Sequence, residues 1–251
     1  MPQTLTIPAR FNGPAESANG GYACGRVAAL LDTDVASVSL RLPPPLERPL
    51  DVARDHERVE LLDGGALVAD AVPGELLLDM PDAVHPQRAA AASDAGREQW
   101  SAAHPFPGCV VCGPAREPGD GMGIFPGALG DGMFAAEWTP DESLSDGDGC
   151  VRPEFVWAAL DCPTSAPVAN FGEGPPMVLA RLTARLGCSV AVGESHALVA
   201  WPLEADGRKR HAACALFDAE GRLLCASRAL WIELKQKTPV GAHPAGPGAY
   251  G

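Results

Sequence analysis

The sequence predicts an α+β fold in which antiparallel strands wrap a short helix, with the same unit built twice along one chain. Three observations predict it. Leu61-Leu62-Asp63-Gly64-Gly65-Ala66-Leu67-Val68-Ala69 and Leu216-Phe217-Asp218-Ala219-Glu220-Gly221-Arg222-Leu223-Leu224-Cys225-Ala226 each read as strand, tight Asp/Gly turn, strand. Upstream of each lies a short Ala/Leu-rich segment of helical character, Tyr22 to Leu31 in the first half and Glu154 to Leu160 in the second. The 28 glycines and 25 prolines demand many turns and short elements, which disfavours a helical bundle.

The first unit is expected over residues 1–84. Its strands are Val35 to Leu42 and Val59 to Val72, with a break at Pro43-Pro44-Pro45. Residues 85–104 connect the halves. Their Ala, Asp and Arg content suits a linker helix or a flexible crossover. The second unit, 105–237, opens with strands Gly123 to Pro126 and Met133 to Trp138 around a turn at Gly127 to Gly132. After the helix come four longer strands: Val178 to Val192, Ala197 to Leu203, His211 to Phe217 and Leu223 to Leu234. The stretch 238–251 holds little but Gly, Ala and Pro, too little apolar surface to order itself, and is expected to be a flexible tail.

Charge narrows the function classes. With 32 acidic against 19 basic residues, a net charge of −13 repels nucleic-acid phosphates and anionic lipid headgroups, so neither is an expected partner. The N-terminal residues carry no basic stretch followed by an apolar run, and no segment reaches the ~18 apolar residues of a membrane span. The expected location is cytoplasmic. The eight cysteines lie mostly singly in apolar segments, as reduced, buried small hydrophobes do, and argue against a disulfide framework.

Three motifs carry a family resemblance. Cys109-Val110-Val111-Cys112-Gly113-Pro114 followed by Gly121-Met122-Gly123-Ile124-Phe125 resembles the opening of hotdog-fold acyl-CoA thioesterases. Val151-Arg152-Pro153-Glu154-Phe155-Val156-Trp157-Ala158-Ala159-Leu160-Asp161 resembles that family's central helix, which ends in Leu-Asp. Ser17-Ala18-Asn19-Gly20-Gly21-Tyr22 resembles the Gly-Gly-Tyr helix entry of double-hotdog thioesterase-like proteins. The resemblance implies a double hotdog: two antiparallel sheets, each wrapped around a central helix, joined edge to edge. The halves are complementary. Asp161 stands at the register of the family's catalytic carboxylate, nine positions after Arg152, whereas the equivalent position after Asn19 is Ala28; the first half keeps the glycine entry that the second replaces with Arg152-Pro153-Glu154.

The resemblance therefore implies one composite site between the units. Asp161 would act as general base or nucleophile on an acyl-CoA or related thioester, the Gly20 and Gly21 amides at a helix N-terminus would hold the oxyanion, and Asn19 would orient water. Tyr22, Arg152, Glu154, Trp157 and Thr164 would shape the pocket, and Arg181, Arg185, Arg208, Lys209 and Arg210 could receive the phosphates of CoA. Bland readings compete: Asn19-Gly20-Gly21 is also a plain N-cap and turn, and Trp157 also a core residue. Cys109-x-x-Cys112 with His104 and Cys162 falls within zinc-ligand spacing, but a single CxxC is a weak signal, so no metal or cofactor is expected. A non-catalytic binder of acyl thioesters or apolar carboxylic acids is the alternative function. Two fused units leave monomer, dimer or trimer open, so a homo-oligomer stands among the partners.

Overall fold

The computed structural model describes residues 3–169 and 176–234. Its strands are β1 (Thr4–Leu5), β2 (Val35–Leu40), β3 (Leu50–Asp55), β4 (Arg58–Asp63), β5 (Ala66–Pro73), β6 (Gly127–Gly130), β7 (Met133–Trp138), β8 (Met177–Leu186), β9 (His196–Asp206), β10 (Lys209–Phe217) and β11 (Leu223–Glu233). The helices are α1 (Gly20–Ala28), α2 (Pro86–Ala103) and α3 (Pro153–Ala159). The 238–251 stretch expected as a tail lies outside the described residues.

All eleven strands form one sheet in the order β1-β3-β4-β5-β2-β8-β11-β10-β9-β7-β6. The expectation of two sheets is corrected by the antiparallel pairing of β2 with β8, Val35 to Ser39 against Arg185 to Arg181. Two separate sheets would leave a row of backbone N–H and C=O groups open on each facing edge, and this pairing satisfies them.

Local chemistry explains the hairpins. Gly64 and Gly65 both have positive φ, 56° and 87°, which a two-residue turn between β4 and β5 requires and which L side chains resist. Between β10 and β11, the buried Asp218 closes the turn by accepting from Arg222 N at 2.7 Å and Arg222 Nε at 2.9 Å. Two assignments differ from the sequence reading. The segment read as a turn, from Gly127, holds β6, while Gly123 to Pro126 is irregular. Ile124 and Phe125 are buried, but Ile124 N–H donates to Val111 O at 3.0 Å, so this apolar run is tied to the 109–112 loop rather than to a strand. Val190 and Val192 likewise fall beyond the end of β8.

Two faces of the sheet are covered differently. Helices α1 and α3 lie on one face and share its main core with Leu182, Leu198 and Leu216. Helix α2 covers the other face over Ala135, Ala197, Val199, Ala215 and Phe217. Along β9 the alternation is visible residue by residue, Ala197 and Val199 towards α2, Leu198 and Ala200 towards the main core. The connection between the halves therefore contains a packed helix.

Helices α1 and α3 run antiparallel in direct contact. A Cβ at Gly21 would fall 2.4 Å from Asp161 Cβ and 2.7 Å from Trp157 O, and one at Gly25 would fall 2.6 Å from Glu154 Cα. Only glycine at these positions lets the two backbones approach so closely. With seven residues α3 is too short to be stable alone, and buried Phe155, Val156 and Trp157 hold it, each contributing on the order of 2 kcal/mol of burial.

Candidate functional site

The start of α1 and the residue following α3 meet at one pole of the helix pair. Asn19 caps α1, its Oδ1 accepting from Tyr22 N–H at 2.8 Å. The neighbouring amide is served from far along the chain: Gly21 N–H donates to Asp161 Oδ2 at 2.7 Å. The carboxyl group, disfavoured beyond the C-terminus of its own helix, thus sits at the positive end of α1. Asp161 is only 1% exposed, and its Oδ1 has no hydrogen-bond partner among the described residues. Burial pushes its carboxyl up to about 8, further raised by Cys109 and opposed by the Gly21 N–H and the Asn19 side chain, so it holds its proton at neutral pH.

Around this pole lies a sulfur cluster. The Sγ atoms of Cys109, Cys112 and Cys162, all buried, lie within 4.8 Å of one another, with Cys109 and Cys162 3.8 Å apart. Asn19 Nδ2 points at two of them, 3.5 Å from Cys162 Sγ and 3.7 Å from Cys109 Sγ. Hydrogen bonds from the Cys112 and Cys162 thiols hold the Cys109 thiol well below its ordinary range against the effect of burial, and the same sharing raises Cys162 and Cys112. His104 Nδ1 accepts from Phe106 N–H at 2.8 Å, which leaves the proton of the neutral ring on Nε2, 3.2 Å from Cys112 Sγ. Burial holds the His104 imidazole below its usual value.

The other expected site residues divide between this pole and its opposite. Thr164, fully buried, donates to Asp161 O at 2.6 Å and accepts from Trp231 Nε1 at 2.8 Å, so it braces the turn carrying Asp161. Gly20 packs against Leu179 and Leu40. Tyr22, in the first turn of α1, is sandwiched by Phe11 and Phe155, ring centroids 4.3 and 5.5 Å away, and its hydroxyl accepts from Arg26 one turn further on. At the opposite pole, the start of α3, Arg152 lies over Phe155 and 3.9 Å from Glu154. A cavity of about 340 Å³ opens beside this pole, lined among others by Gly25, Ala28, Pro153 and Trp157. Asp161 does not line it. Open space thus lies where the carboxylate register holds Ala28, whereas the register holding Asp161 is packed shut. Of the basic residues expected to receive phosphates, Arg181 lines a groove of about 410 Å³ with His211 and Arg228, while Arg210 is committed to Glu233.

No protein-family model and no curated protein matches the sequence. Solved structures do. A protein from Alicyclobacillus acidocaldarius described as having a hot dog fold superposes with a TM-score of 0.59 at 10% identity, over 93% of each chain. This chain has the hotdog fold. A match of similar extent joins it to the tesB protein of Mycobacterium avium subs paratuberculosis, TM-score 0.56 and 14% identity over 92% of this chain and 91% of that one. A protein provisionally assigned as a thioesterase, from Novosphingobium aromaticivorans, gives 0.60 and 14% over 93% and 95%. At these identities the likeness concerns the fold, and the hotdog resemblance read from the sequence motifs stands.

The sequence reading names Cys109, Cys112, Cys162 and His104 together and sets them aside because a single CxxC is a weak signal; the structure brings the three sulfurs into one cluster. What sequence reasoning misses is Asn19 beside this cluster, 90 residues from Cys109, a separation to which no local pattern points.

Proposed function

We propose that this chain hydrolyses an acyl-CoA or related acyl thioester at a composite site where the two halves meet. The observation that carries the reading is the Gly21 N–H to Asp161 Oδ2 contact of 2.7 Å, which brings a carboxyl group from one half onto the helix N-terminus of the other within a hotdog fold. On this reading the halves are two hotdog units fused in one cytoplasmic chain, one over 1–84 and one over 105–237, meeting at the β2–β8 seam. The Gly21 amide, released from Asp161, would donate to the thioester carbonyl and stabilise the oxyanion, and Asp161, ionised once the parted pole relieves its burial, would activate water or attack the carbonyl. Substrate entry must part α1 from the turn at Asp161, since that pole is packed shut.

The non-catalytic binder has its own supporting observation: the 340 Å³ cavity beside Trp157 offers room for an apolar acyl group that never reaches Asp161. One experiment separates them. Thiol release is measured for wild type and Asp161→Asn across short, long and aromatic acyl-CoAs, with calorimetric binding alongside. The hydrolase reading expects release that falls about a hundredfold or more in the variant with binding kept. Binding without release in the wild type would replace it with the binder.

A further inference from the structure

We propose that Cys109, Cys112 and Cys162 form a binding site for a thiophilic divalent metal ion of the zinc type. The inference is independent of thioester hydrolysis. It rests on four geometric facts.

The first is spacing. Thiolates at about 2.3 Å from a tetrahedral zinc ion stand roughly 3.8 Å from one another. Cys109 and Cys162 are already 3.8 Å apart and all three sulfurs fall within 4.8 Å, so the site needs only a small contraction to close on an ion. The second is the loop. Gly113 N–H donates to Cys109 O at 2.9 Å and Ile124 N–H donates to Val111 O at 3.0 Å, which fix the turn between Cys109 and Cys112. This turn brings the Cys109 and Cys112 sulfurs to one buried place, within 4.8 Å of each other and of Cys162. A side chain at Gly113 would lie 2.4 Å from Cys109 O, which explains the glycine.

The third is the surrounding shell. Asn19 Nδ2 faces Cys109 and Cys162 and His104 Nε2 faces Cys112, so every sulfur has an N–H donor from a side chain. Their other polar atoms are anchored, Asn19 Oδ1 by Tyr22 N–H and His104 Nδ1 by Phe106 N–H, which fixes both donors in that orientation. His104 is accordingly a positioning residue and not a ligand. The fourth is an unpartnered polar atom: Asp161, next in sequence to Cys162, buries an Oδ1 with no partner among the described residues, and a cation nearby would ionise this carboxyl group. Three cysteines leave one tetrahedral position for a water molecule. Binding expels thiol protons as the metal–sulfur bonds form, with no change in oxidation state. The ion would tie the 109–113 loop to the turn after α3, beside the cap of α1.

The test uses the full chain, purified under reducing, anaerobic conditions from zinc-supplemented cells. Zinc content is measured, and metal-stripped protein is then titrated with Co²⁺. The expected results are about one metal ion per chain and a sulfur-to-cobalt charge-transfer absorption that saturates near one equivalent and is displaced by Zn²⁺. Cys109→Ser and Cys162→Ser should abolish it, and Cys188→Ser, at an exposed cysteine outside the cluster, should leave it unchanged. Folded, reduced wild-type chain that carries no zinc and develops no such absorption overturns the proposal. So does a signal that survives in folded Cys109→Ser and Cys162→Ser chains. Because the decisive absorption is read on wild type, the test keeps its force even where a variant fails to fold.

Discussion

Gly21→Ala tests the helix contact on which the proposed composite site depends. The added methyl would sit 2.4 Å from Asp161 Cβ, 2.7 Å from Trp157 O and 2.9 Å from Ala158 Cα, against the 3.4 to 4 Å of ordinary contact. Two of the three obstacles are backbone atoms, so α1 and α3 must separate by roughly 1 Å, and overpacking of this kind costs about 1–3 kcal/mol. Separation also stretches the Gly21 N–H bond to Asp161, whose loss in a buried place costs about 1–3 kcal/mol more. Alanine returns about 1 kcal/mol of helix propensity. The net expectation is a loss of about 1–5 kcal/mol, a clear fall in urea midpoint with an unchanged slope. Gly20→Ala is the control: its methyl meets Leu179 Cδ2 at 2.9 Å, the movable end of a side chain, and should change stability by less than about 1 kcal/mol. A Gly21→Ala chain as stable as wild type, or a Gly20→Ala chain that loses more, would refute the close contact of the two helices.

Two further perturbations follow from buried contacts. Thr164→Val keeps the shape of the side chain but strands Trp231 Nε1 without its 2.8 Å acceptor, so unfolding free energy should drop by about 1–3 kcal/mol; an unchanged midpoint would mean the indole finds water instead. Gly96→Ala puts a methyl 2.5 Å from Phe125 O and should lift α2 off the sheet, raising hydrogen exchange across residues 86–103 well above wild type, whereas equal exchange would place the helix elsewhere.

Elements with strong local signals were legible in the sequence. Asn19-Gly20-Gly21 marks the start of α1 because a cap residue and two small residues leave few other roles, and the Asp/Gly turns mark both hairpins. Long strands β8 to β11 announce themselves by apolar content. Strand β3 does not: Leu50 is its one buried residue, and its polar remainder is held by pairing with β1 and β4 rather than by burial. Asp161 could be singled out from its register, but its partner Gly21 lies 140 residues away, and no periodicity reports which amide a buried carboxyl will meet. The packing shut of that pole, and the cavity at the other, depend on side chains from both halves and were invisible for the same reason.

The taper of the sheet has a consequence for how copies of this chain meet one another. An open sheet offers its outermost strands as templates on which a neighbour can polymerise, and long flat outer strands invite it. Among the described residues the outermost strands, β1 and β6, are two and four residues long, and the long strands β8 to β11 lie inside. Growth by strand addition therefore has almost no ladder to extend, and a crowded solution of this chain is protected from fibre formation by the shortness of its ends.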